Sequence, residues 1–355
     1  MGKHDHLDPA YELYQPEREP SSKLKPVLLI VGIIAAISLV AGAGTAYWLN
    51  SSLSNIKRIG VTVDDENRPQ PTGDGGLNIL MLGADAGDKR NGPGTSIVKD
   101  ATKADWPTGK YRSDATMLVH IDADREHAYV VSIPRDSYVP IHDQTGEKRD
   151  TTKINAALSI YGPSGALSTV ENFSGQRIDH IAMVDWDGFK AITDAVGGVT
   201  VTVRGQGKTK MNGEEALDYV GERKKLPNGD FDRAKRQQNF LRSLLTKVIE
   251  RGTLYNPIKL KRTLDSMTKN VAVDDGWSTG AIRSLALTMR DVKPRDVTFL
   301  TIPTNGTDSD PIAGSIVVVD EAACQDLFDA MAADEMGAWV DANGKTKLGR
   351  PDDVN

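Results

Sequence analysis

One stretch of the chain, residues 230–249, combines the periodicity of a buried helix with charged residues on its buried side. Its apolar stripe is formed by Leu241, Leu244, Leu245 and Val248. The same helical period, continued toward the N-terminus, places Gln237 and Arg233 on the inward face. Burying an unpaired guanidinium costs several kcal/mol, so either a protein carboxylate pairs with Arg233 or the first turns line a cavity that holds an anion. Asp230 is placed to cap the helix start, where the helix dipole also favours negative charge.

Composition limits the class of protein and the classes of partner. The chain has 355 residues, 39% of them hydrophobic, and a formal net charge of -6. These values are typical of a globular protein, and the acidic total argues against nucleic acid as a partner because phosphate backbones bind to basic surfaces. Cys324 is the single cysteine, which excludes an internal disulfide and a cysteine zinc site.

The first part of the chain predicts a membrane anchor. Residues 1–26 form a polar tail, and residues 27–48 form an apolar run long enough, at ~1.5 Å per residue, to cross a ~30 Å hydrocarbon layer. More basic residues precede this run than follow it, which predicts a single-pass protein of the cell membrane with a cytoplasmic N-terminus and an extracellular main domain. A signal peptide cleaved near Ala43 is the alternative. Residues 49–76 are predicted to be a linker, and residues 77–333 a folded domain.

The segment after this domain, residues 334–355, is polar and is predicted to be a flexible C-terminal tail.

Three apolar runs, at 78–82, 116–121 and 128–133, predict consecutive strands. If these strands run antiparallel, the end of the first, the start of the second and the end of the third meet at one edge. The charged residues at that edge are Asp85, Arg112, Asp114, Arg135 and Asp136.

The second half of the chain predicts several further helices and three strands. Gly197 and Gly198 mark the end of one helix, and Asn212 with Glu215 has the spacing of a capping box. The predicted helices cover 163–173, 187–196, 212–220, 258–267, 278–289 and 320–332, and the predicted strands cover 199–203, 297–302 and 314–319.

A local reversal of charge precedes and overlaps the helix described first. Residues 221–236 contain six basic and three acidic residues, although the whole chain is acidic. Such a segment attracts polyanions, and carboxylates among arginines suit a divalent cation together with phosphate groups. For any one of these residues alone, an ordinary ion pair is the favoured interpretation. The histidines have no metal-ligand spacing, so structural roles are expected for His120, His127, His142 and His180.

The order of these motifs resembles that of the LytR-CpsA-Psr family over roughly residues 77–333. The matching segments are Asn78–Asp85, Arg112–Asp114, Ser132–Asp136, Lys153–Ala156, His180–Val199 and Asp230–Gln238. A match in several ordered parts is far more specific than one motif. The resemblance implies an α/β fold with a central, mostly antiparallel sheet flanked by helices and a hydrophobic tunnel for a polyprenyl chain.

The activity that the resemblance implies is transfer of a glycopolymer, as sugar phosphate, from a polyprenyl-pyrophosphate carrier to a hydroxyl of peptidoglycan. The polymer stays open between teichoic acid, arabinogalactan and capsule. A weakly active or non-catalytic polyprenyl-phosphate-binding protein and a polyprenyl-pyrophosphate hydrolase are the alternatives.

The resemblance also implies roles for individual residues. Asp85 and Asp114 would bind Mg²⁺ or Mn²⁺, while Asp230 and Asp136 would support the cationic side chains. Catalysis would rest on Arg112, Asp114 and Arg135, and pyrophosphate would be bound by Arg112, Arg135, Lys153, Arg223, Arg233 and Gln237.

The chain departs from the family pattern at two positions. Gly221 stands where the family has an arginine, and residues 86–88 lack the arginine that commonly follows the first aspartate. Arg90 or Lys224 could compensate for the missing guanidinium groups. Loss of one guanidinium group would weaken the free energy of anion binding by roughly one to three kcal/mol. This departure therefore favours the weakly active alternative.

Overall fold

The computed structural model describes residues 51–71, 75–85, 96–103, 105–223, 225–249 and 257–354. The predicted cytoplasmic tail and transmembrane helix, at residues 1–48, lie outside these ranges. None of the helices within them is both long enough and apolar enough to cross a bilayer.

Thirteen strands and nine α-helices are assigned within the described residues. The strands are β1 (Lys57–Ile59), β2 (Leu77–Asp85), β3 (Arg112–Ile121), β4 (Ala128–Ile133), β5 (Tyr138–His142), β6 (Lys148–Lys153), β7 (His180–Val184), β8 (Val199–Val203), β9 (Gly207–Met211), β10 (Val271–Asp274), β11 (Val297–Thr301), β12 (Thr304–Asp310) and β13 (Gly314–Val319). The helices are α1 (Ile97–Asp100), α2 (Asn155–Ser174), α3 (Trp186–Ala195), α4 (Gly213–Gly221), α5 (Asp230–Ile249), α6 (Pro257–Asn270), α7 (Thr279–Thr288), α8 (Glu321–Ala332) and α9 (Met336–Ala342).

Seven strands form a central sheet in the order β1-β10-β7-β2-β3-β4-β11. The pairs β1·β10, β2·β7 and β4·β11 are parallel, whereas β10·β7, β2·β3 and β3·β4 are antiparallel. The predicted α/β sheet flanked by helices is confirmed, but the prediction that it is mostly antiparallel is wrong, because the sheet is mixed. Parallel pairing requires a crossover connection, and α2 supplies part of the crossover that returns the chain to β7 beside β2.

The sheet separates two hydrophobic cores. Along β2, Ile79 and Met81 enter one core while Leu80 and Leu82 enter the other. Residues from α3, α4, α5, α6 and α7 complete the first core, and residues from α1, α2, α8 and α9 complete the second. The strands are therefore buried on both faces, which explains why they appear in the sequence as continuous apolar runs.

Local structure at the helix ends can be compared with the predicted helix boundaries. Asn212 and Glu215 form the predicted capping box at the start of α4. Gly197 and Gly198, which follow α3, both have positive φ angles. Helix α2 begins before the predicted position and is interrupted at Gly162, whose φ of 69° and contact with the Trp106 ring leave no room for a side chain.

The predicted linker, residues 49–76, is wrong for much of its length. Leu53 is fully buried in the first core, and β1 forms an edge of the central sheet. Arg68 pairs with Glu171 of α2 at 2.8 Å and donates a hydrogen bond to the Ile178 carbonyl. The folded domain therefore includes Leu53 and the residues that follow it.

The predicted flexible tail, residues 334–355, is also wrong. Met336 and Val340 of α9 enter the second core, while Leu348 and Val354 enter the first. The segment is mostly polar, and its few apolar residues, such as Met336, Trp339 and Val340, form too short a pattern to predict a packed helix. Their burial is decided by surfaces that the rest of the chain supplies.

Met336→Ala tests the structural role of the C-terminal segment. Met336 has no exposed surface, and truncating a buried methionine costs about 2–5 kcal/mol of unfolding free energy. We expect urea denaturation to show a clear decrease of the midpoint for this variant. Asp341→Ala, an exposed change in the same helix, is the control, and equal midpoints for both variants would restore the interpretation of a loose tail.

Candidate functional site

Three neighbouring strands in the middle of the sheet, β2, β3 and β4, have their charged ends on the same side of the sheet, where the strands begin or end. Strand β2 ends at Asp85, whose Cα lies opposite that of Arg112 at the start of β3. Strand β4 runs antiparallel to β3 and ends at Ile133, just before Arg135. The predicted meeting of these strand ends is therefore confirmed at the level of the backbone.

A β-bulge places Asp114 among these strand ends. In the β2–β3 ladder, Gly83 pairs with Ala115 and Ala84 pairs with Ser113, so Asp114 is an extra residue without an opposite partner on β2. A bulge bends the strand and changes the direction of a side chain, and bulges are frequent beside functional sites. The carboxylate of Asp114 consequently reaches a side chain that belongs to the segment after β4.

Arg135 is the centre of the charged cluster. Its Nη1 lies 2.6 Å from Oδ1 of Asp114, and its Nε lies 3.8 Å from carboxylate oxygens of both Asp136 and Asp230. Burial lowers the pKa of Arg135, but the three carboxylates outweigh this effect and raise it above the usual value. The guanidinium therefore stays charged in a site that is largely closed to solvent.

The inward face of α5 supplies the second buried guanidinium. The four predicted apolar positions are fully buried, and Arg233 on the same face is 1% exposed. Its Nη2 lies 2.5 Å from Oδ1 of Asp230. Burial lowers the pKa of Arg233; Asp230 opposes this effect, and nearby Arg135 and Arg223 add to it. One carboxylate, Asp230, thus lies between two arginines.

Two buried side chains of α5 have N–H groups that a bound anion would satisfy. Nη1 of Arg233 and Nε2 of Gln237 are buried and form no hydrogen bond within the described part of the chain. Leaving a buried donor unsatisfied costs about 1–3 kcal/mol, more when it is charged. An anion bound beside the first turns of α5 would satisfy both donors and offset the burial of Arg233.

The remaining predicted residues lie at different distances from this centre. Lys153 Nζ is 3.6 Å from Oδ1 of Asp136 and so joins the cluster. Arg223 is half-buried and close enough to affect Arg233. Arg112 is exposed and forms no ion pair with another described residue. The side chain of Asp85 lies outside the described residues, as do Arg90 and Lys224.

Two contacts differ from the expected roles in α5. Asp230, expected to cap the helix, lies beside Arg135 and Arg233, whereas Asp232 accepts hydrogen bonds from the backbone and side-chain N–H groups of Asn228, which precedes α5. Arg236, one of the basic residues counted in the sequence, stacks over the Tyr219 ring at 4.7 Å. Its role in the structure is packing between α5 and α4.

Two hairpins that the sequence did not reveal hold the segment around Arg135. Strands β5 and β6 pair antiparallel, as do β12 and β13. Asn155 N–H, at the start of α2 just after β6, donates to the Arg135 carbonyl at 3.2 Å, and Val317 N–H of β13 donates to the Asp136 carbonyl at 2.8 Å. The cluster is therefore fixed by backbone hydrogen bonds on both sides.

A separate cleft of about 570 Å³ opens on another face of α5. Residues 345–348 form one wall, where Thr301 N–H donates to the Thr346 carbonyl and Leu348 N–H to the Phe299 carbonyl. Lys235, Lys345 and Lys347 line the cleft. Helical spacing places Lys235 on a different face of α5 from Arg233, so this cleft is a second basic surface and not part of the cluster.

Known proteins share this fold and this sequence pattern. The LytR_cpsA_psr family model matches residues 48–333. The cell wall biosynthesis protein LcpA of Corynebacterium glutamicum is 32% identical over 70% of this chain, which corresponds to 54% of LcpA. The polyisoprenyl-teichoic acid–peptidoglycan teichoic acid transferase TagU of Enterococcus faecalis is 29% identical over 72% of this chain and 82% of TagU.

Among solved structures, the crystal structure of Bacillus subtilis TagV superimposes with a TM-score of 0.57 at 24% identity, over 74% of this chain and 98% of TagV. At that identity the likeness concerns the fold. The mixed sheet between two helical layers, with a buried arginine–carboxylate cluster at one end of its strands, defines the class: an α/β protein with a charged site beside its sheet. The family match over most of the length is decisive: the chain belongs to the LytR_cpsA_psr family.

Inorganic pyrophosphate tests the anion site. We expect it to raise the Tm of the full chain, because a ligand that binds only the folded state stabilises it by about 2.7 kcal/mol at one hundred times Kd. Arg233→Met should remove at least half of this increase. Arg236→Met, on the same helix but stacked on Tyr219, should keep it; equal increases in the two variants would place the anion elsewhere.

Proposed function

We propose that this chain transfers a glycopolymer, as sugar phosphate, from a polyprenyl-pyrophosphate carrier to a hydroxyl of peptidoglycan. The observation that carries the proposal is the pair of buried guanidiniums, Arg135 and Arg233, joined through Asp230 beside the unsatisfied donors of α5. Family membership and the names of relatives such as TagU support a transferase of cell-wall polymers.

The charges of the cluster suit a pyrophosphate. Arg135 is already held by Asp114, so its position is fixed before a substrate binds. Arg233 and Gln237 contribute N–H donors without protein acceptors among the described residues, and Lys153 and Arg223 add positive charge nearby. Fixed donors cost no reorganisation when the reaction begins, which makes their electrostatic stabilisation effective.

The proposed reaction exchanges one P–O bond for another. The acceptor hydroxyl oxygen bonds to the sugar-linked phosphorus, and the bond from this phosphorus to the bridging oxygen breaks. The lipid monophosphate leaves with the negative charge, and the hydroxyl proton is released. Guanidinium groups around the bridging and equatorial oxygens stabilise that charge during transfer.

Mg²⁺ or Mn²⁺ is part of the proposal, and the residues fit it. Asp114 and Asp85 lie at adjacent strand ends, and carboxylate oxygens are the ligands that Mg²⁺ takes. Asp114 can accept a hydrogen bond from Arg135 and still bind a cation, because a carboxylate offers about four lone-pair sites. When bound, the ion would neutralise phosphate charge.

The lipid part of the substrate implies two further features. A polyprenyl chain requires an apolar tunnel, and a membrane-borne carrier requires a site near the outer surface of the membrane, with residues 27–48 as the anchor. Mass spectrometry of lipids that copurify with the full chain tests the tunnel. A reporter fused at Asn355 that is active only outside the cytoplasm tests the orientation.

Arg135→Ala and Asp114→Ala test the assignment of the cluster. We expect each change to lower the transfer rate at least about a hundredfold, because removal of one charge-stabilising group typically costs that much. The assay combines the full chain, a lipid-linked oligosaccharide, peptidoglycan oligomers and Mg²⁺. Arg149→Ala is the control, since Arg149 is paired with Asp143 on the β5–β6 hairpin. Wild-type turnover in Arg135→Ala or Asp114→Ala would refute the assignment.

The products of the same assay separate the alternative functions. A covalent conjugate of oligosaccharide and peptidoglycan supports the transferase. Free sugar phosphate indicates a pyrophosphate hydrolase, and tight binding of the lipid without turnover indicates a carrier-binding protein.

Gly221→Arg tests whether the departure from the family pattern weakens the site. Gly221 is the last residue of α4 and lies two positions before Arg223. One additional guanidinium should strengthen binding of the donor by about tenfold, roughly 1.4 kcal/mol, seen as a lower KM. Gly221→Ala controls for the loss of glycine. Equal KM values for the two variants would show that this position does not contribute to binding.

A further inference from the structure

A second group of charged side chains lies at the other end of the central sheet. His120 and Asp122 are at the end of β3 and in the turn that follows it, and Asp334 follows α8. His120 lies six positions after Asp114 on β3, which corresponds to about 20 Å along an extended strand. This group therefore belongs to a different site from the arginine cluster.

The distances within the group match ligands around a shared ion. Nε2 of His120 lies 3.6 Å from Oδ1 of Asp122 and 3.5 Å from Oδ1 of Asp334. Hydrogen bonds of this type are shorter, about 2.7–3.2 Å. Four ligands at about 2.1 Å from a tetrahedral ion lie about 3.4 Å from one another. The three atoms thus have the separation that a common cation imposes.

The tautomer of His120 is set by its other ring nitrogen. Asn78 Nδ2 donates to the Arg177 carbonyl at 3.0 Å, and a carbonyl can only accept, so Oδ1 of Asn78 must face the histidine. Nδ1 of His120, 2.8 Å from this oxygen, then carries the proton. In the neutral ring, Nε2 presents its lone pair toward the two carboxylates. In a metal-binding histidine, the ring nitrogen that does not bind the metal is usually fixed by a hydrogen bond of this kind.

The burial of the Asp122 carboxylate is an independent argument for a cation at this position. Its Oδ1 is buried and forms no hydrogen bond within the described residues, and the residue is 8% exposed. A buried carboxylate oxygen without a donor is costly unless a cation compensates it. Asp334 is held in place, because Ala123 N–H donates to its carboxylate at 3.3 Å.

We propose that His120, Asp122 and Asp334 bind one Zn²⁺ ion that ties the β3–β4 turn to the end of α8. One imidazole nitrogen and two carboxylate oxygens form a mixed set that zinc accepts in four-coordinate geometry, with the fourth position taken by water. His127, whose Nδ1 lies 3.8 Å from Oδ2 of Asp122, flanks the site. Asp334 follows the last residue of the family match.

A proton shared by the carboxylates is the competing occupant. Burial, and next the charge of Asp334, raise the pKa of Asp122 to about 7. A proton would reduce the repulsion between the carboxylates but would leave metal content at zero. Direct measurement of bound metal therefore separates the two occupants.

The test uses the full chain after removal of metals with EDTA and dialysis. We expect it to bind one Zn²⁺ per chain by titration calorimetry and elemental analysis, and its Tm to rise by about 4 °C or more at one hundred times Kd. Asp334→Asn should weaken the affinity at least tenfold. Asp326→Asn, an exposed change on α8, should leave it unchanged.

Two outcomes would overturn the proposal. One is a wild-type chain that takes up no Zn²⁺, as expected if a proton is shared. The other is equal affinity in wild type and Asp334→Asn, which would mean that the ion binds elsewhere, for example at His4 or His6. If Asp334→Asn fails to fold, the visible spectrum of wild type with Co²⁺ decides: intense bands indicate the four-coordinate site of three side chains and one water, and weak octahedral bands contradict it.

Discussion

The guanidinium of Arg135 is the group on which the arrangement of the candidate site depends. It contacts Asp114 directly and lies near Asp136 and Asp230, so it links the bulge in β3, the segment after β4 and the start of α5. A buried ion pair adds little net stability, because desolvation offsets much of the attraction between the charges. The network therefore serves to position the charged side chains. The stability of the fold comes from elsewhere in the structure.

That stability comes from the two cores on the faces of the sheet and from the hairpins beside it. The strands of the centre are buried on both sides, and backbone hydrogen bonds from Asn155 and Val317 fix the residues around Arg135. A site held this way keeps its donors in place without a substrate, at the expense of leaving Arg233 and Gln237 partly unsatisfied. Binding sites commonly lose some folding stability in this way because their donor groups are held in position for a ligand.

The two ends of β3 carry different chemistry. At its start, carboxylates are surrounded by arginines, which suits phosphate groups and a hard cation. At its end, carboxylates face a histidine whose tautomer is fixed by Asn78, which suits a transition metal. One strand thus connects a site that would hold the substrate with a site that would hold the C-terminal segment to the sheet.

Local patterns in the sequence determined a large part of this protein. The period of α5 predicted that Arg233 and Gln237 face inward, and the apolar runs predicted β2, β3 and β4 with charged residues at one edge. These features follow from short-range regularities that a single sequence contains. Tertiary structure alone decided the mixed pairing of the sheet, the burial of Leu53 and Met336, and the meeting of His120 with Asp334. The reason is physical: each of these contacts joins segments far apart in the chain, and their free energy depends on surfaces that exist only after the two cores have formed.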